Sequence, residues 1–165
     1  MNAEQIDQPA SPTGFDTYPA WIGPVLRGAL PEGLEPLAVY YSWEYDSRRI
    51  PALLVLPTSL VGVSIEFVGN STVLSVTRTS IGLDDVLRVS VSMRTALMSP
   101  EMQENPMETQ EVELELRQEL PPFGSAIRLP LSKNDYRGDW DLWKRAARSV
   151  ADALLLLGVG PPSRA

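Results

Sequence analysis

The chain of 165 residues contains no histidine and no cysteine. It therefore lacks the commonest general base, the commonest protein ligand of transition metals and every thiol nucleophile. It also cannot form disulfides, which agrees with a reducing compartment without requiring one. These absences favour recognition over catalysis as the function of the protein.

Long hydrophobic runs are also missing. No apolar run approaches the roughly 20 residues that a membrane-spanning helix needs, and the N-terminal region lacks the basic start and apolar stretch of a secretory signal. We therefore expect a cytoplasmic protein with no membrane partner. Hydrophobic residues make up 44% of the chain and charged residues 21%, which is typical of a folded globular protein. The fourteen basic residues are mostly arginine, a bias typical of GC-rich bacterial genes.

Positive charge is scarce, and the net charge of -7 argues against a nucleic-acid partner. Six of these seven net negative charges fall in residues 101–119, which we call the acidic segment. Its glutamates are Glu101, Glu104, Glu108, Glu111, Glu113, Glu115 and Glu119, and its only cation is Arg117. A field this concentrated is typical of a surface that attracts a cationic protein.

The length of the chain fits one domain. Residues 1–14 are polar and contain Pro9, Pro12 and Gly14, so they predict a flexible N-terminal arm. We expect a single domain over residues 15–160 and a C-terminal tail over residues 161–165.

Helical spacing occurs near both ends of this domain. Apolar residues in the segment 18–30 predict a short N-terminal helix ended by Pro31 and Gly33. A second apolar stripe predicts a long amphipathic helix with Asp139 as its N-cap. The stripe consists of Trp140, Trp143, Ala147, Val150, Leu154 and Leu157.

Strand signals fill the middle of the chain, at residues 37–46, 50–56, 63–68, 71–79, 86–94, 111–119 and 125–131. In the first, Val39, Tyr41, Trp43 and Tyr45 alternate with polar neighbours and predict a core-facing row. Pro51 and Pro57 indicate that the second lies partly at a sheet edge.

Two further patterns concern how these strands are arranged. Gly69 and Asn70 predict a tight turn between the third and fourth predicted strands, residues 63–68 and 71–79. In the fifth predicted strand, residues 86–94, one face carries Leu87, Val89, Val91 and Met93. We expect the α+β class, with an antiparallel, meander-like sheet of about six or seven strands and the long helix packed on one face.

Residues 95–110 form the longest predicted loop, in which Met98, Met102 and Met107 stand among acids. One interpretation is a mobile loop whose methionines pack back onto the sheet. The other is an adaptable contact surface for a partner. The glutamates of residues 111–119 also allow two interpretations: a solvated sheet face paired with Arg88 and Arg94, or a binding surface.

Catalytic and metal-binding motifs are absent: the sequence has no EF-hand, SxxK, GxSxG, GxxxxGK or GxGxxG pattern. We predict no catalytic residue, metal or cofactor. A small enzyme or ligand-binding domain that relies on carboxylates is the weakest alternative. Its candidates are Glu44, Asp46, Asp84 and Asp85.

The sequence thus predicts a non-catalytic interaction module with a chaperone-, immunity- or assembly-like role. The predicted binding residues for a basic protein partner are Glu101, Glu104, Glu108, Glu111, Glu113, Glu115, Met98, Met102 and Met107. The alternative is a structural subunit of a homo-oligomer or of a phage-like assembly.

Overall fold

The computed structural model describes residues 20–42, 48–69, 73–96, 107–131 and 140–159, with backbone only for 94–96, 107–110 and 140–143. These residues form two antiparallel sheets, of four and three strands, with two α-helices and one short 3-10 helix. The helices are α1 (Ile22–Gly28) and α2 (Trp140–Leu156), and the 3-10 helix is Leu83–Asp85. The strands are β1 (Ala38–Tyr41), β2 (Arg49–Val55), β3 (Ser59–Phe67), β4 (Leu74–Gly82), β5 (Val86–Ala96), β6 (Met107–Leu120) and β7 (Gly124–Leu129).

The α+β class and the antiparallel pairing are confirmed, but the prediction of one continuous sheet is wrong. The orders are β1-β2-β3-β4 and β5-β6-β7, so β4 and β5 belong to different sheets. Between them the chain turns through the 3-10 helix, where Asp85 accepts a 2.6 Å hydrogen bond from Gln118 of β6. This contact fixes the turn against the second sheet instead of continuing the first one.

The first sheet is covered on both faces. One face packs against the second sheet and α2, and we call this the inner core; the other packs against α1, and we call it the outer core. The inner core contains Tyr40, Leu53, Leu60, Ile81, Val86, Val112, Leu114, Leu120, Ile127, Leu129, Val150 and Leu154, among others. The outer core contains Ile22, Leu26, Leu30, Ile50, Ala52, Leu54, Leu56, Val61, Val63 and Ile65.

Burial on both faces explains why Tyr40 was not predicted as a core residue. Alternation placed Tyr40 on the exposed side of the first strand, yet Tyr40 is fully buried in the inner core. Val39 and Tyr41 are only partly buried, against the outer core. Trp43 and Tyr45 lie outside the described residues. Alternation distinguishes the two faces of a strand but does not show that either face is exposed to solvent.

The prediction that residues 50–56 lie partly at a sheet edge is also wrong, because β2 is bonded to β1 on one side and β3 on the other. The carbonyl of Pro51 accepts a 3.1 Å hydrogen bond from the amide of Ser42, just beyond the end of β1. In an antiparallel ladder the N and O atoms of one residue point to the same neighbour. The donor that proline lacks would therefore point towards the end of β1, where little of the ladder is lost.

The hairpin predicted around Gly69 is confirmed in its strands: β3 and β4 pair without interruption from Phe67 and Leu74 to Ser59 and Gly82. In contrast, the predicted alternation of residues 86–94 fails at its start. Val86 pairs with Leu116 and Arg88 pairs with Glu115, so the register shifts at Leu87. Val86 is buried, whereas Leu87 is 44% exposed. The bulge thus places Val86, instead of Leu87, at the core position.

The long C-terminal helix is confirmed as α2, which lies closest to β1. Ala147, Val150 and Leu154 of the predicted stripe are buried in the inner core. Leu157 lies just beyond the helix, before Gly158 with φ of 75°, and is 37% exposed. The predicted N-cap Asp139 lies outside the described residues. The short N-terminal helix is confirmed as α1, with narrower bounds.

Tyr40 also joins the two sheets by a hydrogen bond: its hydroxyl accepts the amide of Leu131, just after β7, at 2.8 Å. In Tyr40→Phe this part-buried amide loses its acceptor, so we expect the free energy of unfolding to fall by about 1 kcal/mol. Urea denaturation measures the change. An unchanged midpoint would show that water replaces the hydroxyl at no cost.

No helix of the part that the structure describes is long and apolar enough to cross a membrane.

Candidate interaction surface

Strand β6 places part of the acidic segment on an open face of the second sheet. Val112, Leu114 and Leu116 point into the inner core, each at most 5% exposed. The residues between them therefore point outwards, and alternate side chains of a strand lie roughly 7 Å apart. Glu111, Glu113 and Glu115 form this outward line, which we call the glutamate row.

Two members of the glutamate row pair with arginines of neighbouring strands. The Nε atom of Arg88 lies 3.4 Å from Oε2 of Glu115, and the Nε atom of Arg128 lies 3.3 Å from Oε1 of Glu113. Both arginine side chains are more than 60% exposed. Ion pairs this open to water contribute about 0–1 kcal/mol each. The solvated-face interpretation therefore explains part of the charge.

Glu111 differs from its two neighbours. It lies opposite Ser92 of β5, and within the described ranges no cation pairs with it. The ladder between β6 and β7 ends at the pair formed by Val112 and Leu129. Glu111 consequently lies where the sheet has narrowed to two strands, on the side of β6 that continues towards Glu108. Of the three glutamates, Glu111 is thus the one for which the described residues show no ion pair.

A shallow groove of about 350 Å³ runs across the outward face beside this row. Its polar lining comes from Arg88, Glu113, Glu115, Ser125 and Arg128. Ala126, which pairs with Glu115 across the strands, contributes only a short side chain to the lining of the groove. It is open to water and charged on both sides, so it suits a side chain presented by another protein better than an enclosed small molecule.

Other predicted site residues do not join this surface in the described part of the chain. Met98, Glu101, Met102 and Glu104 lie outside it, and only the backbone of Met107 and Glu108 is described. The predicted loop was too long, because β5 extends to Ala96 and β6 begins at Met107.

The carboxylates considered for catalysis or metal binding do not form a common site in the described residues. Asp85 accepts the hydrogen bond from Gln118 and lies 3.9 Å from Arg117, so it has a structural role. No group of three carboxylates that could hold a metal occurs in the described ranges. Glu44 and Asp46 lie outside them.

Arg128 is the component of the surface that the sequence analysis missed. Residues 125–131 were predicted as a strand, but the alternation within a strand gives no information about which strand lies beside it. The register of β7 on β6 places Arg128 opposite Glu113. The only available signal was the presence of an arginine among apolar and small residues.

Comparison with protein-family models, with curated proteins and with solved structures found no match for this chain.

Proposed function

We propose that this protein is a non-catalytic interaction module that binds a basic protein partner through its acidic segment, in a chaperone-, immunity- or assembly-like role. The glutamate row is the observation that supports this proposal. Three carboxylates stand on the outward face of a sheet whose other face forms the inner core. The core therefore holds their spacing, while the carboxylates themselves stay open to a partner.

The intrachain arginines do not prevent such binding. Because the pairs of Glu113 and Glu115 are exposed, exchanging Arg88 or Arg128 for a lysine or arginine of a partner costs little. Glu111 has no pair to exchange among the described residues. A negative field of this kind mainly accelerates association and discourages acidic competitors, and salt screens it.

The proposal predicts charge-dependent binding. The tagged protein is used to capture partners from a lysate of its native organism at low and high salt, and a captured protein is purified and titrated. Substitution of Glu111, Glu113 and Glu115 by glutamine should weaken its binding about tenfold or more, since charge-assisted contacts each contribute on the order of 0.5–1 kcal/mol. The loss should shrink as the salt concentration rises.

Glu35 and Glu66 provide a matched control. Each side chain is exposed and paired with an arginine at 2.7 Å, much as Glu113 and Glu115 are paired with arginines. Glu66 lies on the first sheet, and Glu35 lies in the loop that leads to it. Glu35→Gln combined with Glu66→Gln should leave the affinity unchanged. If both sets weaken binding in proportion to the charges removed, three in one set and two in the other, the partner senses total charge only. If neither does, the glutamate row is a solvated sheet face without a binding role.

A further inference from the structure

Strand β4 is a sheet edge without the usual protection against strand addition. It is nine residues long and runs in unbroken register with β3, and no other described strand pairs with it. Natural edges are commonly protected by lysine, proline or a bulge, and β4 has none of these. Its one charged residue, Arg78, directs its Nη1 atom to the carbonyl of Ala29 at 2.7 Å.

The other outer strands, β1, β5 and β7, each carry a feature that hinders strand addition. Strand β1 has only four residues and lies against α2. Strand β5 carries the bulge at Leu87 and the exposed Arg88. Strand β7 has six residues and is followed at once by Pro130, which cannot donate to a ladder. An added strand therefore meets nine regular residues along β4, with no bulge, proline or lysine among them.

The hairpin geometry shows which groups of β4 face the open side. The amide of Val68 donates to the carbonyl of Val73 at 3.0 Å, and residues of an antiparallel ladder alternate in the direction of their N and O atoms. Residues 75, 77, 79 and 81 therefore bond to β3. The backbone groups that point to the open edge belong to Leu74, Val76, Arg78 and Ser80.

We propose that β4 pairs with β4 of a second copy of this chain, antiparallel, about a twofold axis at Thr77. Two four-stranded sheets would then join into one continuous sheet. In this register the N–H and C=O groups of Val76 form hydrogen bonds with those of Arg78 in the second copy. Leu74 and Ser80 pair in the same way. Thr77 faces Thr77, and Ser75 faces Thr79, in pairs without backbone hydrogen bonds.

The side chains of β4 favour this occupant and this register. Cross-strand Thr–Thr and Thr–Ser pairs stabilise antiparallel strands, and the hydroxyl residues Ser75, Thr77 and Thr79 form one such line. Moving the axis to Arg78 would bring two guanidinium groups together. The strand contains no acid, so it offers nothing specific to the basic partner proposed for the glutamate row. That row lies on the other sheet and does not depend on this pairing.

Charge exchange at Thr77 tests both the pairing and its axis. Analytical ultracentrifugation of the wild type over a concentration series should show a monomer–dimer equilibrium. Thr77→Lys alone and Thr77→Glu alone should each be monomeric, because like charges then meet at the axis, whereas an equimolar mixture should restore a one-to-one dimer. Ser92→Lys, an exposed site on β5, should dimerise like the wild type.

A cysteine provides the second measurement, since the native chain contains none. Directly opposed residues in a pair without backbone hydrogen bonds have Cα atoms about 4.5 Å apart, within reach of a disulfide. Thr77→Cys should cross-link to a dimer under mild oxidation, and Ser75→Cys should not, because its partner in this register is Thr79.

Circular dichroism and thermal melting establish that each variant is folded. A wild type that stays monomeric at its highest soluble concentration would overturn the proposal. So would a dimer that both single charge variants leave intact, or one in which Ser75→Cys cross-links as readily as Thr77→Cys. None of these outcomes bears on binding through the glutamate row.

Discussion

Replacement of Gly62 by alanine is expected to lower the free energy of unfolding by about 3 kcal/mol. Gly62 lies in the middle of β3, where the turn between β6 and β7 presses against the first sheet. A Cβ atom at this position would overlap the carbonyl oxygen of Pro121 and would lie 3.1 Å from Cγ of Leu120. A backbone oxygen cannot swing aside as a side chain can, so the two sheets would have to separate.

Gly28 provides the control with the opposite sign. It is the last residue of α1, and a Cβ atom added there meets nothing within 4 Å. Gly28→Ala should therefore stabilise the protein by roughly 0.5–1 kcal/mol through the lower conformational freedom of the unfolded chain. Urea denaturation compares the two. A Gly62→Ala protein as stable as the wild type would mean that the sheets are not in contact here.

Leu114→Ala is expected to cost about 3 kcal/mol, because this side chain is 1% exposed at the centre of the second sheet. It lies opposite Val89 of β5 and Ile127 of β7, so its removal leaves a cavity beside these side chains in the inner core. The flanking changes Glu113→Ala and Glu115→Ala should cost less than about 1 kcal/mol each, since they remove only exposed ion pairs. Chemical denaturation with a constant m-value checks all three.

This contrast bears directly on the proposed function. If the two glutamate variants are nearly as stable as the wild type, a loss of partner binding reports on the surface alone. A loss of several kcal/mol in either variant would instead indicate that the arginine pairs hold the sheet together. The glutamate row would then be structural, and the binding experiment would need correction for unfolded protein.

Local periodicity predicted most of the secondary structure. The repeat of Ala147, Val150 and Leu154 identified α2, and the alternation around Val112 and Leu114 identified β6 and its wet face. These predictions succeeded because helix and strand periods place side chains on faces within a few residues. They failed for Tyr40, where burial on both faces removes the contrast between polar and apolar sides. The edge assignment of residues 50–56 rested on proline instead, and it failed because Pro51 lies opposite the end of β1.

The proposed interaction surface divides in the same way. The outward line of Glu111, Glu113 and Glu115 followed from the sequence, whereas the pairing of Glu113 with Arg128 and the groove above Ala126 did not. Those features depend on which strand lies beside β6 and in what register. A shift of one residue would exchange every facing pair while leaving each strand's own pattern unchanged.

Patterns among residues close together in the chain were enough to locate the helices, most strands and the concentration of negative charge. The division of the strands into two sheets could not be predicted in this way, because it depends on contacts between distant segments. The hydroxyl of Tyr40 accepts a hydrogen bond from the amide of Leu131, and Gly62 leaves room for the turn at Pro121. Alternation within a strand specifies its faces but not its neighbours, and packing between the sheets selects those neighbours.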